Sequence, residues 1–273
     1  MKLAKSLLFI TSASLLSGCI VVANPSHANH HIQQELVLDA AQLTAFDVEA
    51  GAGSLVISGS DHVSTITVVA DIYTEKRNTE NYELTLTDAG NSAFLVAKIN
   101  SSHGFWQGDS PHIDIKVTIP SHMMLKVEDG SGAASISDIY GSVEVKDGSG
   151  ELTIKGINGS LDITDGSGSL YVSEIVGNVV IVDGSGKMEL SDIDGNVDID
   201  DGSGSIVAKD ISGSAHFEDG SGDLTVRKVD GMITIDDGSG DIDVEQAGGL
   251  KIIDSGSGGL RVKKVTGSFE IES

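Results

Sequence analysis

The sequence predicts an all-β chain: a parallel β-helix or β-solenoid of 18-residue coils with an irregular β-rich N-terminal cap. Three observations carry this expectation. The tetrapeptide Asp-Gly-Ser-Gly begins at Asp129, Asp147, Asp165, Asp183, Asp201, Asp219 and Asp237, each 18 residues after the last. A second glycine marker keeps the same step at Gly141, Gly159, Gly177, Gly195, Gly213, Gly231, Gly249 and Gly267. Between the markers apolar and polar residues alternate, the period of a half-buried strand. Two glycine turns in every 18 residues suit no helix. A repeat of this length reads as a solenoid, in which one coil buries its apolar face only when a neighbour stacks on it.

The chain opens with an export pattern, and residues 1–18 are expected to be a signal peptide. Lys2 and Lys5 give a positive start, Leu7 to Leu16 is apolar but too short to span a bilayer, and small residues lead into Cys19. Leu16-Ser17-Gly18-Cys19 resembles the lipobox of bacterial lipoproteins, which implies acylation of Cys19 and cleavage just before it. Cys19 is the only cysteine, so it has no internal disulfide partner. An ordinary signal peptide cut after Ala23 or Ala28 is the alternative. Ile20, in place of the aspartate associated with inner-membrane retention, implies outer-membrane sorting by the same resemblance.

The formal net charge of −24 becomes −26 once Lys2 and Lys5 leave with residues 1–18. Such a surface disfavours nucleic acid and anionic lipid as partners, because phosphate contact needs a basic footprint. It favours solubility and an affinity for cations. The composition, 34 glycines against 3 prolines and 4% aromatics, suits thin coils with tight turns.

Residues 19–33 read as a tether, in which His27, His30 and His31 are incidental rather than metal ligands. Residues 34–120 read as a cap with a degenerate first coil. Phe46 to Ile57 copies the coil pattern with Ala50-Gly51-Ala52-Gly53 in the turn. Strands are expected at Val63–Ile72, Tyr82–Leu86, Ala93–Ile99 and His112–Ile119. The loop from His103 to Asp109 carries Trp106, the only tryptophan, which is expected to fold onto the cap core.

Residues 121–273 form the regular solenoid. Superposing the coils at steps of 18 makes five apolar columns, seen in one coil as Leu161, Ile163, Leu170, Val172 and Ile175. Stacked strands about 4.8 Å apart place each inward side chain on its counterpart. A buried Leu or Ile contributes roughly 1.5–3 kcal/mol, so the columns account for stability without a cofactor. Lys251 interrupts the first column. Either it snorkels, or a bulge after Gly248-Gly249 turns Leu250 inward with Ile253 back in register. The bulge is expected, because the same coil has Ser255 where the others have the turn aspartate. The coil ending in Phe269 and Ile271 leaves an open strand edge, which invites self-association or a partner.

The aspartate column admits two accounts. Each carboxylate accepts backbone N–H bonds within its own turn, an Asx turn in which glycines supply positive φ. Alternatively Ca²⁺ sits between coils and neutralises the acids. Calcium-binding β-rolls also have 18-residue coils, but the second turn here (Asp138-Ile139-Tyr140-Gly141, Lys228-Val229-Asp230-Gly231) keeps no fixed acid. The Asx turn is the expectation, with no cofactor required and calcium the alternative.

No catalytic residues are assigned. The acids obey the repeat, whereas an active site is singular, and there is no zinc spacing, nucleophile elbow or P-loop. Asp200 and Asp201, or Asp236 and Asp237, point to opposite faces of a strand and make poor acid–base partners.

Val117-Thr118-Ile119-Pro120, Leu125-Lys126-Val127 and coils such as Gly141-Ser142-Val143-Glu144-Val145 resemble the bacterial putative-adhesin family of β-solenoid domains, over roughly Phe46 to Ser273. The resemblance implies surface adhesion and carries no catalytic residues; the very regular Asp-Gly-Ser-Gly departs from the family's looser turns. The expected function is therefore a non-enzymatic, lipid-anchored cell-envelope scaffold or adhesin. Its partners would be the membrane through Cys19, a surface glycan or protein ligand, and a second copy through the C-terminal coil. A calcium-binding or polysaccharide-active envelope protein is the alternative.

Overall fold

A computed structural model describes residues 28–75, 79–100 and 110–272. All regular secondary structure among them is β-strand, in stacked parallel coils about 18 residues apart. Cys19, His27 and the Trp106 loop lie outside the described residues.

The cap comprises β1 (His30–Asp39), β2 (Ala45–Ala52), β3 (Leu55–Ser60), β4 (Thr65–Thr74), β5 (Tyr82–Ala89), β6 (Ser92–Ile99) and β7 (His112–Pro120). β1 begins inside the stretch read as a tether, so His30 and His31 belong to a strand. His31 Nε2 lies 2.7 Å from Asp71 Oδ1, and its ring stacks on Tyr73, which stacks in turn on His112.

The cap is interleaved rather than laid on top. β4 runs antiparallel to β1 and β7, and β5 antiparallel to β6. β2 and β3 lie parallel to β8 (Met124–Ile139), in registers that set Phe46 beside Leu125, Val48 beside Val127 and Ile57 beside Ile136. The segment from Phe46 to Ile57 is thus a true coil of the stack. Its alternation matches the column spacing of the coil above, and stacking it there buries Phe46 and Ile57 completely.

Above β8, the five-residue strands β9 (Val143–Asp147), β11 (Leu161–Asp165), β13 (Val179–Asp183), β15 (Val197–Asp201) and β17 (Ala215–Asp219) stack in one ladder. The longer strands β10 (Gly150–Asn158), β12 (Gly168–Val176), β14 (Gly186–Asp194) and β16 (Gly204–Ile211) stack in another. Every pairing joins residues 18 apart, such as Leu161 with Val179 and Leu170 with Met188. The five columns are buried from β8 through Ile252, with Leu152, Leu170, Phe217 and Ile233 fully enclosed.

β18 (Leu224–Asp237) and β19 (Ile242–Asp254) pair with two shifts in register, between Val229 and Met232 and between Ile235 and Asp236. Leu250 pairs with Ile233 and is buried, as the bulge expectation requires. The rest of that expectation is corrected. Ile252, not Ile253, pairs with Ile235 and fills the second column, while Ile253 is exposed. The step shortens by one residue between Ala247 and Gly249, which turns Leu250 inward, and is restored between Ile252 and Asp254, where Ile253 is left over. Lys251 faces outward and bonds Glu272 at 2.8 Å. The same shift makes Asp254 the acid of this turn, accepting from the Gly256 N–H at 2.9 Å, but on the exposed side. The stack finishes on β20 (Leu260–Val265) and β21 (Phe269–Ile271), whose apolar residues are partly open to solvent.

Candidate functional site

The seven turn aspartates form an inward column. Asp129 lies within β8 and the other six each end a strand; in every case the alternate residues before it face the core, so strand geometry turns its side chain inward too. All seven are buried, from 7% exposed at Asp129 to 0% at Asp237. Asp147 lies in register with Asp129 and Asp165, and the pairing continues to Asp219 with Asp237. The column stands on Ala50 and ends where the bulge takes Asp254 outside.

In five turns the Asx geometry is present. Oδ1 of Asp165, Asp183, Asp201, Asp219 and Asp237 accepts from the N–H of the serine two residues on, at 3.0–3.2 Å. Only the last glycine of the motif takes positive φ, as at Gly168 (φ 144°). The first is needed for closeness instead: a Cβ on Gly166 would lie 2.5 Å from the Gly148 carbonyl oxygen.

Oδ2 of each of these five aspartates is buried without a hydrogen-bond partner, as are both carboxylate oxygens of Asp129 and Asp147. Burial pushes the carboxyls of Asp129, Asp147, Asp165, Asp201 and Asp219 up to about 6, and that of Asp183 and Asp237 upward as well. Repulsion from the neighbouring coil adds to burial at Asp147, Asp165, Asp201 and Asp219, while the turn amides pull Asp165, Asp201 and Asp219 back part of the way. A calcium ion takes six to eight oxygens. Among the described residues no three acidic, histidine or cysteine side chains converge to hold a metal. The column is single file, with one unpartnered oxygen per level in most coils.

The opposite corner carries a feature that the sequence did not announce. Asp138, Glu174, Asp192, Asp210, Lys228, Gln246 and Lys264 all take φ between 56° and 65°, and Gly156 takes φ 70° in the same place. These positions are 18 apart but chemically mixed, so no repeated residue marks them. The available signal was spacing. The fourth and fifth columns, as at Ile154 and Ile157, are three residues apart rather than two, and one of the intervening residues must turn.

From Glu174 to Lys264 this left-handed corner forms one lip of a groove of about 790 Å³ that runs across the coils, floored by the fifth column. Asp194 and Asp230 stand on the other lip. Lys228 bonds Asp210 at 3.0 Å, Lys155 pairs with Glu174 at 3.1 Å, and Ser212 donates to Asp194 at 2.8 Å. Each pair joins neighbouring coils. The arrangement repeats polar side chains along a concave line at strand spacing.

Asp200 and Asp236 are exposed while Asp201 and Asp237 are buried, so neither neighbouring pair shares a site.

No family model matches the chain, and no curated protein matches its sequence. Solved structures do resemble it. One, a putative cell adhesion protein from Clostridium sporogenes, is 12% identical, with a TM-score of 0.34 over 89% of this chain and 99% of that one. A putative adhesin from Bacteroides fragilis is 13% identical, with a TM-score of 0.37 over 89% and 98%. A putative lipid binding protein from Parabacteroides distasonis is also 13% identical, with a TM-score of 0.47 over 92% and 100%. The first is named for cell adhesion and the second as an adhesin.

Proposed function

We propose that this chain is a non-enzymatic, lipid-anchored cell-envelope binding module, adhesin-like, that lays an extended surface polymer along the groove of its left-handed corner. The observation that carries this is the groove itself: a concave line of polar side chains repeated at strand spacing from Glu174 to Lys264. A repeating ligand can meet many such weak contacts at once, and linked weak contacts add up to avidity. The corner side chains also favour a binding role. Left-handed backbone costs a non-glycine residue roughly 1–2 kcal/mol, and Gly156 shows that glycine is accepted there. Glutamate and lysine kept at such positions are explained by what they present to the groove.

The anchor rests on the Leu16-Ser17-Gly18-Cys19 motif. Stable attachment takes more than one acyl chain, as lipoprotein-type modification supplies. Outer-membrane residence follows from the same motif and Ile20.

The test is a glycan array, with extended peptides alongside, probed with the chain and with Asp192→Lys plus Asp210→Lys. Binding that the double variant loses, without turnover of the bound polymer, supports the proposal. Turnover, or binding untouched by the variant, overturns it. For the anchor, Cys19→Ala is expected to move the protein from membranes to the soluble fraction.

A further inference from the structure

We infer that the polymer taken by the groove is a β-1,4-linked hexosamine chain whose amino groups are free rather than acetylated. The inference rests on the groove reading above and names the chemical class of its ligand. The groove is lined by five acids, Glu174, Asp192, Asp194, Asp210 and Asp230, against two lysines, Lys228 and Lys264. Both lysines are engaged, Lys228 with Asp210 at 3.0 Å and Lys264 with Glu245 at 2.9 Å. Glu174 holds Lys155 at 3.1 Å. Asp192, Asp194 and Asp230 make no ion pair among the described residues, and all three are exposed. The charge left open in the groove is therefore negative throughout and suits a cation.

The placement of the acids selects the polymer. Four consecutive coils carry Glu174, Asp194, Asp210 and Asp230, and these stand on alternate lips. Glu174 and Asp210 belong to the left-handed corner, Asp194 and Asp230 to the lip across the apolar floor. The coils stack about 4.8 Å apart, close to the length of one sugar residue. Each ring of a β-1,4-linked chain is turned half a circle from the last, so its amines alternate sides as these carboxylates do. A ring whose amine meets Asp194 is followed by one facing Asp210 and then by one facing Asp230. Asp192 adds a second acid opposite Asp194 at the same level. Ammonium donors on carboxylates make charge-assisted hydrogen bonds, stronger than neutral ones. Ring hydroxyls meet the uncharged polar groups of Ser212, Gln246 and Thr266.

A lysine-rich peptide fits less well. In extended form it returns a side chain to the same face every two residues, about 6.6 Å, out of step with the coils. It also brings no hydroxyls to the uncharged stretch.

The test is calorimetric titration of the full chain in mild detergent with a chitosan hexamer, the acetylated chitin hexamer and hexalysine. Chitosan is expected to bind, and the other two roughly tenfold more weakly or worse. Asp194→Asn with Asp230→Asn removes charge at exposed positions while keeping shape, and is expected to weaken chitosan binding by roughly tenfold. Asp198→Asn with Asp200→Asn makes the same change on an exposed face outside the groove and is expected to leave binding unaltered. Chitosan that does not bind, acetylated chitin or hexalysine that binds as tightly, or two double variants that behave alike would each overturn the inference. Acetylated chitin that binds and is lost with Asp192→Lys plus Asp210→Lys would overturn the free-amine class while leaving the groove reading in place. Chitosan binding that no groove substitution alters would overturn both.

Discussion

Raising the pH from about 4 to about 8 is expected to destabilise this protein through its buried aspartate column. Five of the seven carboxyls titrate near 6 in the folded chain against an ordinary value of 3.8. The folded state therefore binds more protons than the unfolded chain between these values. The stability from that difference is fully present below about 3.8, falls as pH rises through about 6, and is gone above it. A two-unit shift corresponds to roughly 3 kcal/mol per group. Relaxation of the turns and water entry on ionisation offset most of this, so about 1 kcal/mol per carboxyl is the working figure. Five such groups amount to roughly 5 kcal/mol, or about 10–20 °C in Tm for a chain of this size. The charged neighbours, Asp200 beside Asp201, Asp223 beside Asp219, and Asp236 and Asp254 beside Asp237, are acids and push the same way.

Asp201→Asn isolates the column from the general acidity of the surface. Asparagine has the shape of a protonated aspartate and keeps the oxygen that accepts from Ser203. The variant should match wild type near pH 4 and exceed it by about 1 kcal/mol at pH 8. Thermal melts followed by circular dichroism read both effects. A midpoint that is flat or rises from pH 4 to 8, or an Asn variant weaker than wild type at pH 8, would refute the reasoning.

Three further outcomes follow from the same geometry. Gly168→Ala forces a Cβ onto the Gly150 carbonyl at φ 144° and should cost roughly 3 kcal/mol or more, whereas Gly156→Asp should stay within about 1 kcal/mol because aspartate already occupies that corner elsewhere; urea midpoints compare the two. Phe217→Ala opens a cavity in the second column and should lose about 3–5 kcal/mol by the same measurement. Melts at fixed pH with millimolar calcium and with chelator should coincide, and a calcium-dependent rise of several degrees would replace the proton account of the column with a metal one.

The columns were legible because an exact repeat leaves a side chain one partner, its own counterpart a coil away. Leu161 above Val143 and Ile163 above Val145 follow from counting by 18. Even the degenerate coil at Phe46–Ile57 could be found that way, since its alternation survives the loss of the acid. The Asp-Gly-Ser-Gly turn was legible as an Asx turn for the same reason. Its burial was not read from the sequence. Parity in the strand already places Asp165 on the side of Ile163, and neighbouring coils cover it.

The sequence alone determined the coil length, the stacking register, the five columns and the position of the acid turn, since these depend only on strand parity and glycine geometry repeated at one interval. Tertiary structure decided what one coil cannot express. It placed β2 beside both β6 and β8, pairings between residues far apart in the chain. It added a second register shift at Ile253 to the one at Gly248, so that Ile252 and not Ile253 fills the second column. It also raised a groove from the left-handed corner, where seven side chains of four kinds share one backbone conformation.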